Sequence, residues 1–275
     1  MLTALSVKVP AQRQKWDALR KRLRRDRIEV ETMQARGVTL RHVTYISYSG
    51  QLRLDKLDSA IGARRDGLLC SDRLIFPRQS GYRRFSSTAF SSRLCTNFAL
   101  GLLQSCKNAA RLRVALYDPE AYCADYLFSL LEICSDVAVV TSCYEPYFYV
   151  ADRALNELGA AALVTKNRAE LKNRDVIIAP RPVAESLPVD GSAYVFTVSP
   201  ACEGLGGRVF DRYHFRMPNG FAQIKPEELG EEYFCSALYT LGAQYELGSI
   251  MPLSASGSAG VRDLKTLANS LDKRR

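Results

Sequence analysis

Five places along the chain bring together side chains that can hold a ligand. Asp118, Pro119 and Glu120 follow the apolar run Leu112–Tyr117, and Thr141, Ser142 and Tyr144 stand at and after the end of Val137–Thr141. Thr165 and Lys166 end a third run, and Pro180 and Arg181 follow Asp175–Ala179. Ser199, Cys202, Glu203, Gly204, Gly206 and Gly207 follow Ala193–Val198. Carboxylates accept hydrogen bonds, small hydroxyls do both, and glycines let a backbone approach a ligand closely. All five sets fall where an apolar run ends. If those runs are parallel strands, one edge of one sheet collects them.

A sixth set is Arg83, Arg84, Ser86, Ser87 and Thr88. Two guanidiniums ahead of a helix start and three hydroxyls form a candidate site for phosphate or carboxylate. A solvated loop with an ordinary N-cap has the same composition. Tyr144, Tyr147 and Phe148 could stack on a ring, although their spacing of three and four also suits a helix core.

The eight cysteines form no Cys-x-x-Cys pair, and the histidines are His42 and His214. That spacing gives no metal site. Cys95 and Cys106 are eleven residues apart, about three helical turns, and so are Cys123 and Cys134. They read as small buried hydrophobes. Cys143 and Cys202, near strand ends, are the thiols with a candidate chemical role.

The elements that must position these groups follow from patterning. Short apolar runs alternate with amphipathic stretches between residues 111 and 200, as in a parallel sheet covered by helices. The expected elements are strands at 112–117, 137–141, 162–165, 175–179 and 193–198, with helices at 121–134 and 146–158. Before them, His42–Tyr48 and Gly67–Ser71 read as strands, Leu52–Ile61 as a short helix, and Ser87–Cys106 as a longer one. Val209–Met217 is a further strand and Pro226–Leu241 a further helix. The fold class is α/β, Rossmann-like, with a mostly parallel sheet and helices on both faces. A smaller α/β segment and a basic N-terminal helix precede it.

The net charge of +9 is concentrated. Residues 1–41 carry 11 Lys or Arg against 4 Asp or Glu, and the basic tail is Lys273, Arg274 and Arg275. Trp16, Leu19, Leu23, Val30 and Met33 recur at spacings of three, four and seven. Pro10 can open a helix and Gly37 can close it. The expected organisation is thus a basic amphipathic helix at 1–37, an α/β segment at 38–110, a Rossmann-like domain with an extension at 111–250, and a linker with a terminal helix at 251–275. No apolar run reaches the roughly 18 residues of a membrane span. Met1–Pro10 does not read as a signal peptide, so the expected location is the cytoplasm.

The segments ALNELGA (154–160) and LKNRDVIIAP (171–180) resemble the NAD(P)-binding domains of shikimate and amino-acid dehydrogenases. In those families a similar helix and strand line the dinucleotide groove. The resemblance covers about a third of the chain. Where those domains carry Gly-x-Gly-x-x-Gly, this chain has Asp118-Pro119-Glu120-Ala121-Tyr122-Cys123. Pro119 removes an amide donor and two carboxylates oppose a pyrophosphate, so NAD(P) is disfavoured at this turn. Asp118 reads instead as a helix cap. After the second strand Thr141-Ser142 stands in place of the ribose-binding acid.

Three readings remain. The first is a nucleotide or small anionic metabolite bound at the strand ends by Asp118, Thr141, Ser142, Pro180, Ser199, Gly204, Gly206 and Gly207, in an oxidoreductase relative. The second is a non-enzymatic scaffold or regulatory protein whose cleft is plugged by Tyr117, Tyr122 or Phe196. The third is nucleic-acid binding through residues 11–27, disfavoured because no recognition motif accompanies the charge. The apolar stripe of the basic helix also suggests a homo-oligomer.

Overall fold

The computed structural model describes residues 1–10, 25–62, 65–242 and 244–273. It divides into two compact units. Residues 1–87 and 217–247 form the first, and residues 88–216 and 248–275 the second.

In the first unit, strands β1 (Leu2–Lys8), β2 (Arg27–Ala35), β3 (Val38–Ile46), β4 (Asp66–Cys70) and β5 (Arg83–Arg84) form a sheet of order β2-β3-β1-β4-β5. β1 runs parallel to β3, from Leu2 opposite Leu40 to Lys8 opposite Ile46. β4 is parallel to β1 and β5 parallel to β4, while β2 is antiparallel to β3. Side chains alternate across a strand. Leu5, Val43, Tyr45, Leu68 and Cys70 therefore share one face. They pack with Leu57, Ala60 and Ile61 of helix α1 (Leu54–Ile61).

The second unit contains a longer sheet. Helix α2 (Ala89–Ser105) leads into strand β6 (Arg113–Tyr117). Helix α3 (Tyr126–Leu131), strand β7 (Asp136–Val140), helix α4 (Glu145–Leu158) and strand β8 (Leu163–Thr165) follow. After the 3-10 turn Arg168–Leu171 come β9 (Val176–Ile178), β10 (Tyr194–Phe196) and β11 (Arg208–His214). The parallel order is β8-β7-β6-β9-β10-β11. Two series of strands thus start from the middle and build outward in opposite directions, which is the doubly wound arrangement. The expected Rossmann-like α/β fold is present, with five of its strands where the apolar runs stand.

The faces of this sheet are filled differently. Phe196 and Phe210 stack at 5.5 Å, and Phe98 of α2 meets Phe196 at 5.6 Å and Tyr213 at 5.8 Å. All four rings are buried. Each contributes on the order of 2 kcal/mol by burial. On the opposite face, Ala115, Ile177, Val195 and Val209 pack against Leu171 of the 3-10 turn and against Val183, Leu187 and Leu205 of the crossovers.

In the remaining elements, helices α5 (Asn219–Ala222), α6 (Glu231–Leu241) and α7 (Gln244–Gly248) precede a hairpin of β12 (Ser254–Gly257) and β13 (Gly260–Asp263). Helix α8 (Leu264–Asp272) ends the described chain. Asp263 caps α8 by accepting from Thr266 N at 2.7 Å.

Two expectations need correction. The expected helix at 1–37 is strand over Leu2–Lys8 and over Arg27–Ala35. Arg36 and Gly37, at φ 47° and 76°, make the two-residue turn joining β2 to β3. That turn needs positive φ at both positions, and a helix-ending glycine needs the same conformation, so Gly37 served either reading. The basic residues 11–24 of the expected helix lie outside the described residues. Residues 252–260, expected as a linker, hold β12, which adds antiparallel to β11. Its small residues fit because backbone passes close by. A Cβ on Gly257 would stand 2.2 Å from Val209 O.

Candidate functional site

β6 and β9 are neighbours whose onward connections leave in opposite directions, so their carboxyl ends form a topological switch point. In an open α/β sheet a crevice forms there because the two loops diverge. A cavity of about 360 Å³ opens at this place, lined by Tyr117, Asp118, Glu120, Arg181, Val183 and Glu185 together with Pro119, Pro182 and Ala184.

Asp118 is fully buried. Its Oδ2 accepts from Cys123 N at 2.8 Å and from the Tyr147 hydroxyl at 2.7 Å. Its Oδ1 is buried and has no hydrogen-bond partner among the described residues. A buried carboxylate oxygen without a donor is costly, and such atoms concentrate where a ligand or water completes them. Burial and the Asp118 charge push the Cys123 thiol up to about 11. Burial and the same charge push the Tyr147 hydroxyl far above the ordinary tyrosine range. Both groups stay protonated at neutral pH. As the expected cap, Asp118 does hold a backbone N–H of the following turn, but α3 begins only at Tyr126.

Arg181 supplies the cleft's guanidinium. Its Nη1 donates to Thr88 Oγ1 at 3.3 Å, and its guanidinium lies 4.3 Å from the Tyr122 ring centre. Tyr117 donates to Glu185 Oε1 at 3.3 Å. Arg168 pairs with the same carboxylate oxygen at 2.6 Å and holds Glu185 below the usual carboxylate range. The cleft thus presents three carboxylates around one lining guanidinium.

Ala121 has φ 56°, so the turn keeps a left-handed residue where a glycine would be at ease. Asp118, Pro119 and Glu120 supply the chemistry of this connection.

Other expected site residues have separate surroundings. Thr141 is buried. Its Oγ1 accepts from Cys143 N at 3.1 Å, and Ser142 N donates to Pro119 O at 3.1 Å. Thr141 and Ser142 therefore shape the loop beside Pro119, and the Ser142 side chain is exposed. Pro180 is buried directly before Arg181. Ser199 is exposed, with its N–H donated to Asp211 O at 3.1 Å. Gly204, Gly206 and Gly207 make room for the chain itself. A Cβ on Gly206 would stand 2.9 Å from Val189 O, and one on Gly207 2.9 Å from Ala193 O.

Arg83 and Arg84 are adjacent in β5 and so point to opposite faces. Arg84 Nε donates to Cys70 O at 3.0 Å, and its guanidinium lies 4.0 Å from the Tyr233 ring centre. Ser86 is exposed. Ser87 O accepts from Ser236 Oγ at 3.0 Å, and Ser87 Oγ accepts from Thr240 at 3.1 Å. Thr88 precedes α2 without a side-chain cap and accepts from Arg181.

Of the side chains considered as plugs, Tyr117 lines the cleft, Tyr122 is 62% exposed, and Phe196 is in the core. Tyr147 is buried, whereas Phe148 stacks on Tyr144 at 5.5 Å and is exposed. Cys143 is exposed, and Cys202 is half-buried with its thiol near Glu203 O. No group of three or more metal-ligating side chains occurs among the described residues. None of their helices is long and apolar enough to cross a membrane.

The segment Pro182–Glu185 was missed from sequence. Its signal was available, because the edge rule applies to the whole loop after a strand and not only to its first residues. A larger cavity of about 490 Å³ borders Tyr194, Arg208, Arg262 and Ser270, at the amino ends of β10 and β11. There Arg208 donates to the Tyr194 hydroxyl at 3.1 Å, which in turn donates to Ser270 Oγ at 2.8 Å.

Strand order and connection direction define a Rossmann-like α/β protein with a cleft at its switch point. No family model and no curated protein matches the chain. Among solved structures it is similar to the Δ1-pyrroline-2-carboxylate reductase of Thermococcus litoralis in complex with NADH and L-proline, at 15% identity and a TM-score of 0.29, over 44% of this chain and 40% of that one. It is similar to an archaeal alanine dehydrogenase dimer with bound NAD, at 12% identity and 0.29, over 66% and 58%. It is also similar to L-tryptophan dehydrogenase from Nostoc punctiforme, at 11% identity and 0.31, over 99% and 88%. The match thus spans less than two thirds of the length of the first two of those proteins.

Proposed function

We propose that the chain binds a nucleotide or small anionic metabolite in the cleft between β6 and β9. Asp118 takes a ligand hydroxyl or amino hydrogen, and Arg181 takes its anionic group. The unpartnered Oδ1 of fully buried Asp118 carries this reading, because a donor from the ligand would complete it. Tyr117 and Pro182 shape the wall. The reading is one of binding, and no chemical step is assigned to it.

Asp118 and Glu120 stand where a pyrophosphate would need donors, which favours a ligand with few phosphates. The same turn supports a second reading, a scaffold that has kept the sheet without a ligand.

One experiment separates them. AMP, citrate and S-adenosylmethionine, with NAD, NADP and ATP as polyphosphate comparisons, are each added to the full chain, and the melting temperature is followed. Binding at a hundredfold excess over Kd stabilises by about 2.7 kcal/mol, a readable shift. At least one compound is expected to give it, and Asp118→Asn to weaken that compound at least tenfold. No shift from the panel favours the scaffold.

A further inference from the structure

The first unit contains a second switch point. β1 leads on to β2 and β3 on one side, whereas β4 leads to β5 on the other, and the carboxyl ends of β1 and β4 are neighbours. A cavity of about 370 Å³ opens at those ends, bordered by Ser6, Lys8, Ser71, Arg73 and Glu228 among apolar side chains. The same rule that places a crevice between β6 and β9 places one here.

The polar groups of this cavity are arranged by strand register. Ser6 stands opposite Thr44 and Ala4 opposite His42, so Ser6, Lys8 and His42 project from the same face. Ser6 is 4% exposed, and its Oγ lies 2.5 Å from His42 Nε2. Glu228 Oε1 is 3.7 Å from the same nitrogen. Lys8 and Arg73 are exposed and belong to no ion pair among the described residues. Two cations without an acid partner border one end of the set, and a carboxylate held beside a histidine borders the other. That combination suits a ligand with an acceptor at one end and a donor at the other.

We propose that this cavity binds a small carboxylate that also carries a hydroxyl or ammonium group. The ligand's carboxylate is held by Lys8 and Arg73, and its hydroxyl or ammonium hydrogen is held by Glu228. Ser6 and His42 fix the inner wall through their mutual hydrogen bond. This site is separate from the Asp118 cleft and stands without it.

The test is titration calorimetry on the full chain with L-lactate, L-alanine, acetate and inorganic phosphate as probes. Lactate or alanine is expected to bind at least tenfold tighter than acetate and phosphate. The double variant Lys8→Gln/Arg73→Gln, with exposed side chains that the fold does not need, is expected to lose at least tenfold. Glu228→Gln is expected to bring the better probe down to the level of acetate. Absence of binding by all four probes overturns the proposal. So does binding that survives the double variant, or phosphate binding as tightly as lactate and alanine, which marks an adventitious ion only.

Discussion

The hydroxyl of Tyr147 donates to Oδ2 of Asp118 at 2.7 Å, and both residues are buried. The bond ties the first turns of α4 to the end of β6, across the loop that carries Thr141 and Ser142. The same oxygen receives Cys123 N, so one carboxylate organises the turn after β6 and the start of α4.

Tyr147→Phe keeps the ring's packing and removes one of the two donors to a buried carboxylate. It is expected to cost about 1.5–3 kcal/mol, the range for hydrogen bonds to charged groups. The urea unfolding midpoint reads this directly. An unchanged midpoint would show that Asp118 finds another donor.

Ala121 sits at φ 56°, where a Cβ crowds the following carbonyl. Ala121→Gly relieves that crowding but adds freedom to the unfolded chain. The balance is expected to favour the variant by about 0.5–1 kcal/mol. Ala121→Val is expected to destabilise, since a β-branched residue tolerates this region worst. Thermal melts of the pair, moving in opposite directions, are the readout.

Gly204 and Gly207 have nearly the same backbone conformation, φ 83° and 85°, but different surroundings. A Cβ on Gly204 meets nothing within 4 Å. On Gly207 it meets Ala193 O at 2.9 Å and Val195 Cγ2 at 3.0 Å. Gly204→Ala is expected to cost about 1 kcal/mol, from conformation alone. Gly207→Ala is expected to cost about 2–4 kcal/mol, because a backbone oxygen must also move. Equal losses would contradict the packing role given to Gly207.

Alkaline pH offers a test of the buried thiols. Burial raises Cys70 and Cys106 to about 11, and Cys95, Cys134 and Cys235 to about 12, from an ordinary 9. The folded chain therefore keeps protons that the unfolded chain releases. Their contribution is complete below about pH 9 and is lost as pH rises through 9 towards 11–12. Stability is expected to be level between pH 7 and 8 and then to fall, by about 1 kcal/mol per buried thiol at pH 10. Urea midpoints measured under reducing conditions across this range check it; a midpoint constant to pH 10.5 would falsify the burial of these groups.

The parts of the fold that were legible are those whose signal is local. LRVALY, VAVVT and DVIIA are short, apolar and bounded by turn residues, and they became β6, β7 and β9 in a parallel sheet. The expected pairing of cysteines on one helix face does not hold, because Cys106 lies in extended backbone just beyond α2 and Cys123 and Cys134 lie outside α3, although Cys95, Cys106 and Cys134 are buried. Arg27–Ala35 was misread because Val30 and Met33 extended a helical spacing begun at Trp16. Read alone, Ile28, Glu29, Val30 and Glu31 alternate, and the pairing with β3 decides for strand. Strand β12 has almost no propensity of its own, being serine, alanine and glycine. It forms because β11 offers an unpaired backbone edge.

From sequence alone, the edge rule put Asp118 at a sheet edge and showed that Asp118-Pro119-Glu120 stands in place of a glycine-rich turn. That much follows from residue type and from the ends of apolar runs, which are local properties. Which residues share a cavity with Asp118 depends on strand order, and strand order is set by packing between segments far apart in the chain. Only the folded structure could bring Arg181 and Glu185 beside Asp118, and leave one oxygen of that carboxylate buried without a donor.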